Sequence, residues 1–179
     1  MRWMLAALVA LATASTASGQ IAWVGASWGT SWEYKAAAAP DTNFLHSSDS
    51  APALFVAMKI EEDVLLRLKA AELPHVEVID GVQWPGKFTA YTAGIDYVWR
   101  SPFGFGVMSL GLGDYQLSLK ASNPPPTSGN SKFGWYFGVG EWFNITRKWK
   151  VTAELAMNRT QHNGSPTIYA ANVGLAYGF

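Results

Sequence analysis

Apolar and polar residues trade places at almost every step along most of this chain. The alternation is least interrupted over the last eleven residues. Tyr169, Ala171, Val173, Leu175, Tyr177 and Phe179 fall on one face, and Ala170, Asn172, Gly174, Ala176 and Gly178 on the other. A period of two marks a β-strand with two unlike faces. Seven earlier segments read as strands too. The first, about 21–34, sets Ala22, Val24, Ala26, Trp28, Trp32 and Tyr34 against Gly25, Ser27, Gly29, Ser31 and Glu33. The second, about 51–60, sets Leu54, Val56, Met58 and Ile60 against Lys59, and the third sets Val64, Leu66, Leu68 and Ala70 against Arg67 and Lys69. In the fourth, about 87–99, Tyr91, Ala93, Ile95, Tyr97 and Trp99 oppose Thr92, Gly94 and Asp96. The sixth runs from about 132 to 143. The seventh, 149–160, sets Val151, Ala153, Leu155 and Met157 against Lys150, Thr152, Glu154, Ala156 and Asn158. The fifth, about 105–120, is irregular: its apolar face changes parity between Leu112 and Tyr115, which predicts a bulge at Gly113-Asp114.

Connections alternate in length. Long stretches follow the odd-numbered strands: 35–50, then Pro74 to Pro85 with His75, Asp80 and Gly81, then Asn123–Asn130 with three consecutive prolines, then His162–Pro166. Short turns at Glu61-Glu62-Asp63, Ser101–Gly104 and Ile145–Lys148 follow the even ones. All long loops therefore gather on one rim. The expected fold is all-β: an eight-stranded antiparallel up-and-down transmembrane β-barrel after a cleaved signal peptide. Strands reach the roughly 9–11 residues that a tilted membrane strand requires. Soluble barrels share the strand count but turn the apolar face inward, so the choice of faces decides the setting.

Charge decides it. One face gathers Lys59, Arg67, Lys69, Asp96, Glu141 and Glu154, a near-balanced set expected to form an ion-pair network within a narrow lumen. The opposite face is almost free of charge, as a bilayer demands, since one Lys or Arg at the midplane costs roughly 2–4 kcal/mol. Arg159 is the exception and falls next to the long-loop rim, where the cost drops to about 0–1 kcal/mol. Aromatic residues of the apolar face cluster at strand ends: Trp32, Tyr34 and Tyr169 toward one rim, and Trp99, Trp142, Trp149, Tyr177 and Phe179 toward the other. This predicts two interfacial girdles.

The chain opens with Met1-Arg2 and an apolar run from Trp3 to Leu11, followed by small residues at Ala17-Ser18-Gly19. That order predicts a signal peptide over 1–19, cleaved before Gln20, and a barrel domain over 20–179. The apolar run is well short of the roughly 20 residues of a spanning helix. Lys and Arg number 13 against 13 Asp and Glu, with no basic cluster, so nucleic acid is not an expected partner. Cysteine is absent, so a closed barrel rather than disulfides must supply stability.

The segment Gly138-Val139-Gly140-Glu141 through Trp149-Lys150-Val151-Thr152-Ala153-Glu154-Leu155 resembles the penultimate hairpin of the opacity-protein and OmpA-like outer-membrane β-barrel family. The last strand, Val173 to Phe179, is similar to the terminal strand of such barrels. The resemblance implies inward roles for Glu141 and Glu154. The family's Arg two places before the second Glu is Thr152 here, which leaves Arg67 or Lys69 as its substitute. It also implies that Tyr169, Val173, Leu175, Tyr177 and Phe179 form an assembly signal read by the barrel assembly machinery and periplasmic chaperones. The implied location is the outer membrane, with both termini periplasmic and lipid and lipopolysaccharide around the barrel.

Candidate chemistry is sparse. Phosphate-loop, nucleophile-elbow and metal-ligand spacings are all missing, and no cofactor is expected. His46, His75 and His162 each fall in an expected outer loop. His46-Ser47-Ser48-Asp49 holds the residue types of a hydrolase triad but reads as a polar loop. His162-Asn163-Gly164-Ser165 is a poor match to lipid A deacylases. The expected role is non-enzymatic: a structural or surface-interaction barrel with four extracellular loops, a side-chain-filled lumen and a possible cell-surface partner. A lipid A-modifying enzyme and a soluble periplasmic ligand carrier stand as alternatives.

Overall fold

A computed structural model describes residues 21–34, 46–79, 82–119, 131–162 and 165–179. They form one antiparallel sheet: β1 (Ala22–Tyr34), β2 (His46–Ser50), β3 (Ala53–Glu61), β4 (Val64–Ile79), β5 (Val82–Arg100), β6 (Gly104–Leu119), β7 (Ser131–Asn144), β8 (Trp149–Thr160) and β9 (Thr167–Gly178). Strands β3 to β9 pair in chain order, and β9 returns to β1 over a ladder from Trp23↔Gly178 to Tyr34↔Thr167. The sheet thus closes. β2 and β3 both lie against β1, one beside Thr30–Glu33 and the other beside Ala22–Ser27. Between them Pro52 has no N–H to give the ladder, yet Ala51 N–H reaches the Gly29 carbonyl at 3.1 Å. The two strands are therefore halves of one stave, and the barrel has eight. The expected signal peptide, residues 35–45 of the expected 35–50 loop, and the expected 123–130 loop lie outside the described residues.

The faces separate as alternation predicts. Trp28, Ile95, Leu110, Leu112, Leu155 and Val173 stand on the outer surface, each more than half exposed. Arg67, Lys69, Asp96, Ser109, Thr152 and Asn172 are buried inside. Aliphatic rows face outward and ionised groups inward, which is the inverse of a soluble carrier barrel.

Three expectations about strand boundaries need correction. Gly113 and Asp114 form no bulge: β6 pairs residue for residue with β5 from Gly86↔Leu119 to Arg100↔Phe105. Parity holds, and Tyr115, Leu117 and Leu119 simply continue the inner face, buried, while Gln116 and Ser118 continue the outer one, exposed. The polarity of each face reverses as the strand climbs. The long connection around Pro74–Pro85 is instead a continuous hairpin whose register runs to Ile79↔Val82, leaving only Asp80 and Gly81 between. Pro74 fits because, among the described residues, it has one open side: the β3 ladder stops at Ala53↔Ala71. His46–Ser50, expected in a loop, is strand β2.

Candidate functional site

Three layers fill the lumen. Toward the rim bearing the Glu62–Asp63, Ser101–Phe103 and Ile145–Lys148 turns, Phe55, Ala57, Leu65, Val107, Trp142 and Ala176 pack together, with Trp23, Val98 and Phe105 against them. Toward the opposite rim, Leu73, Phe88, Ala90, Tyr115, Leu117, Leu119, Ile168 and Ala170 form a second apolar cluster. A polar layer lies between them.

The polar layer is built from inward positions of three strands. Arg67 Nε donates to Asp96 Oδ2 at 2.6 Å, and Arg67 Nη1 donates to Glu154. Lys69 Nζ donates to the other oxygen of Glu154. Two cations meet two carboxylates, so the layer is neutral. Arg67 and Asp96 are essentially inaccessible. Aromatic faces complete the shell: the Arg67 guanidinium lies 5.4 Å from the Phe55 ring centre and 5.8 Å from that of Trp142, and Lys69 Nζ lies 5.9 Å from Tyr136. Such contacts favour a cation removed from water. Tyr136 has room only because Gly111 and Gly94 face it; a Cβ on Gly111 would stand 2.2 Å from Tyr136 Cε1.

The structure brings together Arg67, Lys69, Asp96 and Glu154 and places the other two members of the expected set elsewhere. Lys59 is inward but lies at the short-turn mouth, with no ion pair among the described residues. Glu141 is a correction. In β7 the even positions point inward, so Tyr136, Gly138 and Trp142 are buried and Glu141 pairs across the outer face with Gly106 and Ala153. Its carboxylate accepts the hydroxyl of Ser101, in the neighbouring turn. Trp142, expected in the lipid-facing girdle, is consequently an inner residue. The side chain of Tyr34 lies outside the described residues; the other expected girdle aromatics gather outside, where Trp32 stacks on Tyr169, Trp99 stacks on Tyr97, and Trp149, Tyr177 and Phe179 meet edge to face. Tyr169, Val173, Leu175 and Tyr177 share the outer face of β9, and Phe179, just past its end, is exposed and meets Tyr177 edge to face.

Two of the histidines, expected in solvated loops, are lumen residues. His75 lies on β4 in the same inward row as Arg67 and Lys69, with Nδ1 2.9 Å from Glu33 Oε2. His162 Nε2 donates to the Tyr115 carbonyl at 2.8 Å. Both rings pack on Phe88, at 4.5 and 4.8 Å between centres. The parity of His75 was legible from Arg67, but Pro74 beside it argued for a loop. The side chain of His46 lies outside the described residues.

A closed eight-stave barrel with a greasy exterior, aromatic girdles and a neutralised ionic interior defines a transmembrane β-barrel. The chain belongs to the outer membrane protein β-barrel domain family, whose model matches residues 4–179, and it is an outer membrane protein. Solved structures share the fold at low sequence identity. Neisserial surface protein A superposes with a TM-score of 0.69 at 11% identity, over 88% of this chain and 97% of that one. OprG from Pseudomonas aeruginosa gives 0.61 at 12%, over 89% and 97%. Ail, the attachment invasion locus protein of Yersinia pestis, solved with the heparin analogue sucrose octasulfate, gives 0.56 at 16%, over 89% and 99%. No curated protein matches the chain.

Proposed function

We propose that this protein is a non-enzymatic surface barrel, anchored by its aliphatic band in lipid and lipopolysaccharide, that presents its long-loop rim to a partner outside the cell. The carrying observation is the filled lumen: apolar, ionic and apolar layers succeed one another along its axis. An eight-strand barrel has just enough interior for side chains to fill, so it serves as a support rather than a conduit. The short turns face the periplasm in this reading, and the β4–β5 hairpin reaches outward past the end of the β3 ladder. His75 and His162 point into the lumen, away from the lipid-facing rim where a lipid-modifying enzyme needs its base. The outer face of β9, from Tyr169 to Tyr177, and Phe179 just past its end are offered to the assembly machinery and its chaperones before insertion.

An epitope placed between Asp80 and Gly81 tests the orientation. Antibody should label intact cells; labelling only after the outer membrane is permeabilised contradicts the reading. Lipid A mass spectra from cells with and without the protein should coincide, and an acyl-chain mass difference would establish the enzymatic alternative.

A further inference from the structure

Among the described residues, nothing fills the short-turn mouth of the lumen. A cavity of about 200 Å³ opens there, walled by Trp23, Leu65, Val98, Phe105 and Trp142. Lys59 and Lys150 line it from β3 and β8, which β1 and β9 separate. Neither ammonium has a carboxylate within ion-pair distance among the described residues. Lys150 is the more unusual. Its side chain is buried, its hydrogen bond goes to the neutral Asn144 side chain, and its Nζ lies 4.6 Å from the Phe105 ring centre. A buried cation is ordinarily paired. Glu62 is the one acidic lining residue, at the exposed lip of the β3–β4 turn. Two cations against one carboxylate leave the mouth positive.

We propose that this mouth binds a small organic anion with a compact apolar body, such as an aromatic or short branched carboxylate. Its carboxylate takes hydrogen bonds from Lys59 and Lys150 Nζ, and its body packs on Trp142, Phe105 and Val98. The size fits: a dry cavity of about 150 Å³ already accepts a benzene ring. The floor fits as well: Trp142 lines the cavity and also lies 5.8 Å from the Arg67 guanidinium, while Arg67, Lys69, Asp96 and Glu154 do not themselves line it. The ligand therefore reaches the mouth without disturbing the ionic layer. This site lies at the opposite rim from the surface role proposed above and does not depend on it.

The test uses the purified full chain in phospholipid nanodiscs, with empty nanodiscs as blank. Benzoate is titrated by calorimetry and saturation-transfer NMR, with benzyl alcohol as the neutral analogue. The expected result is saturable benzoate binding, weakened at least about tenfold in Lys59→Gln/Lys150→Gln and similarly weakened for benzyl alcohol, because hydrogen bonds to charged groups are the stronger ones. Lys59→Arg/Lys150→Arg should retain binding, and Val98→Trp, which fills the cavity, should abolish it. An unchanged difference in gel mobility between boiled and unboiled samples shows that each variant is folded. Equal affinity in wild type and the Gln pair, or no saturable binding above the blank, overturns the proposal. The second outcome includes a mouth already occupied by a lipid chain or by the residues ahead of Ile21.

Discussion

Replacing Glu154 with Gln keeps the side-chain shape and removes one charge from the lumen. Arg67 and Lys69 are balanced there by Asp96 and Glu154. After the change, Arg67 keeps Asp96, but Lys69 loses its carboxylate and the layer carries a net positive charge. Breaking a buried pair by removing one partner costs roughly 3–5 kcal/mol. Glu141→Gln is the internal control, since that carboxylate is outside and partly exposed; its loss should cost at most about 1 kcal/mol. The assay is urea unfolding in lipid vesicles followed by tryptophan fluorescence, with gel mobility reporting closure. Lys69→Met/Glu154→Gln restores neutrality and should recover more than half of the lost stability. The reasoning fails if Glu154→Gln destabilises no more than Glu141→Gln, or if the double variant is worse than the single one.

The same unfolding assay checks the faces. Leu110→Arg places a charge on the outer surface in mid-strand and should cost roughly 2–4 kcal/mol, whereas Arg159→Leu, at the rim, should change stability by no more than about 1 kcal/mol. Gly111→Val drives a Cβ into Tyr136 and toward the Ala93 carbonyl, costing about 1–3 kcal/mol; a companion Tyr136→Ala should relieve part of this. The folded barrel should resist detergent until heated, so boiled and unboiled samples should migrate differently, and identical migration would contradict a closed barrel.

Most of the barrel was legible because period two is imposed wherever one side of a strand meets lipid and the other a polar lumen. β3, β8, β9 and the lower halves of β4 and β5 follow that rule, and Arg67, Lys69, Asp96 and Glu154 could be placed on one face from it. The rule misleads where a strand leaves the hydrocarbon. Beyond Leu112 the exterior meets water and the interior closes over an apolar cluster, so Tyr115, Leu117 and Leu119 turn inward without any change of register. A polarity reversal and a bulge look identical in sequence. Pro74 and Pro85 hid the upper hairpin because a proline excludes only a paired N–H, and which side of a strand lies open is a property of its neighbours. Glu141 and Trp142 were exchanged by reading a lone charge as inward. At the short-turn rim Ser101 satisfies the carboxylate outside, while Phe55 and Arg67 take the indole inside.

The most direct test of the account is a spin-label scan along β6 in a bilayer. The chain contains no cysteine, so single Cys substitutions from Val107 to Leu112 each carry one label. Collision with oxygen, which concentrates in hydrocarbon, should be high at Met108, Leu110 and Leu112 and low at Val107, Ser109 and Gly111. A scan with no alternation, or with the even positions shielded and the odd ones in lipid, would contradict a barrel that keeps its charges within and its aliphatic rows outside.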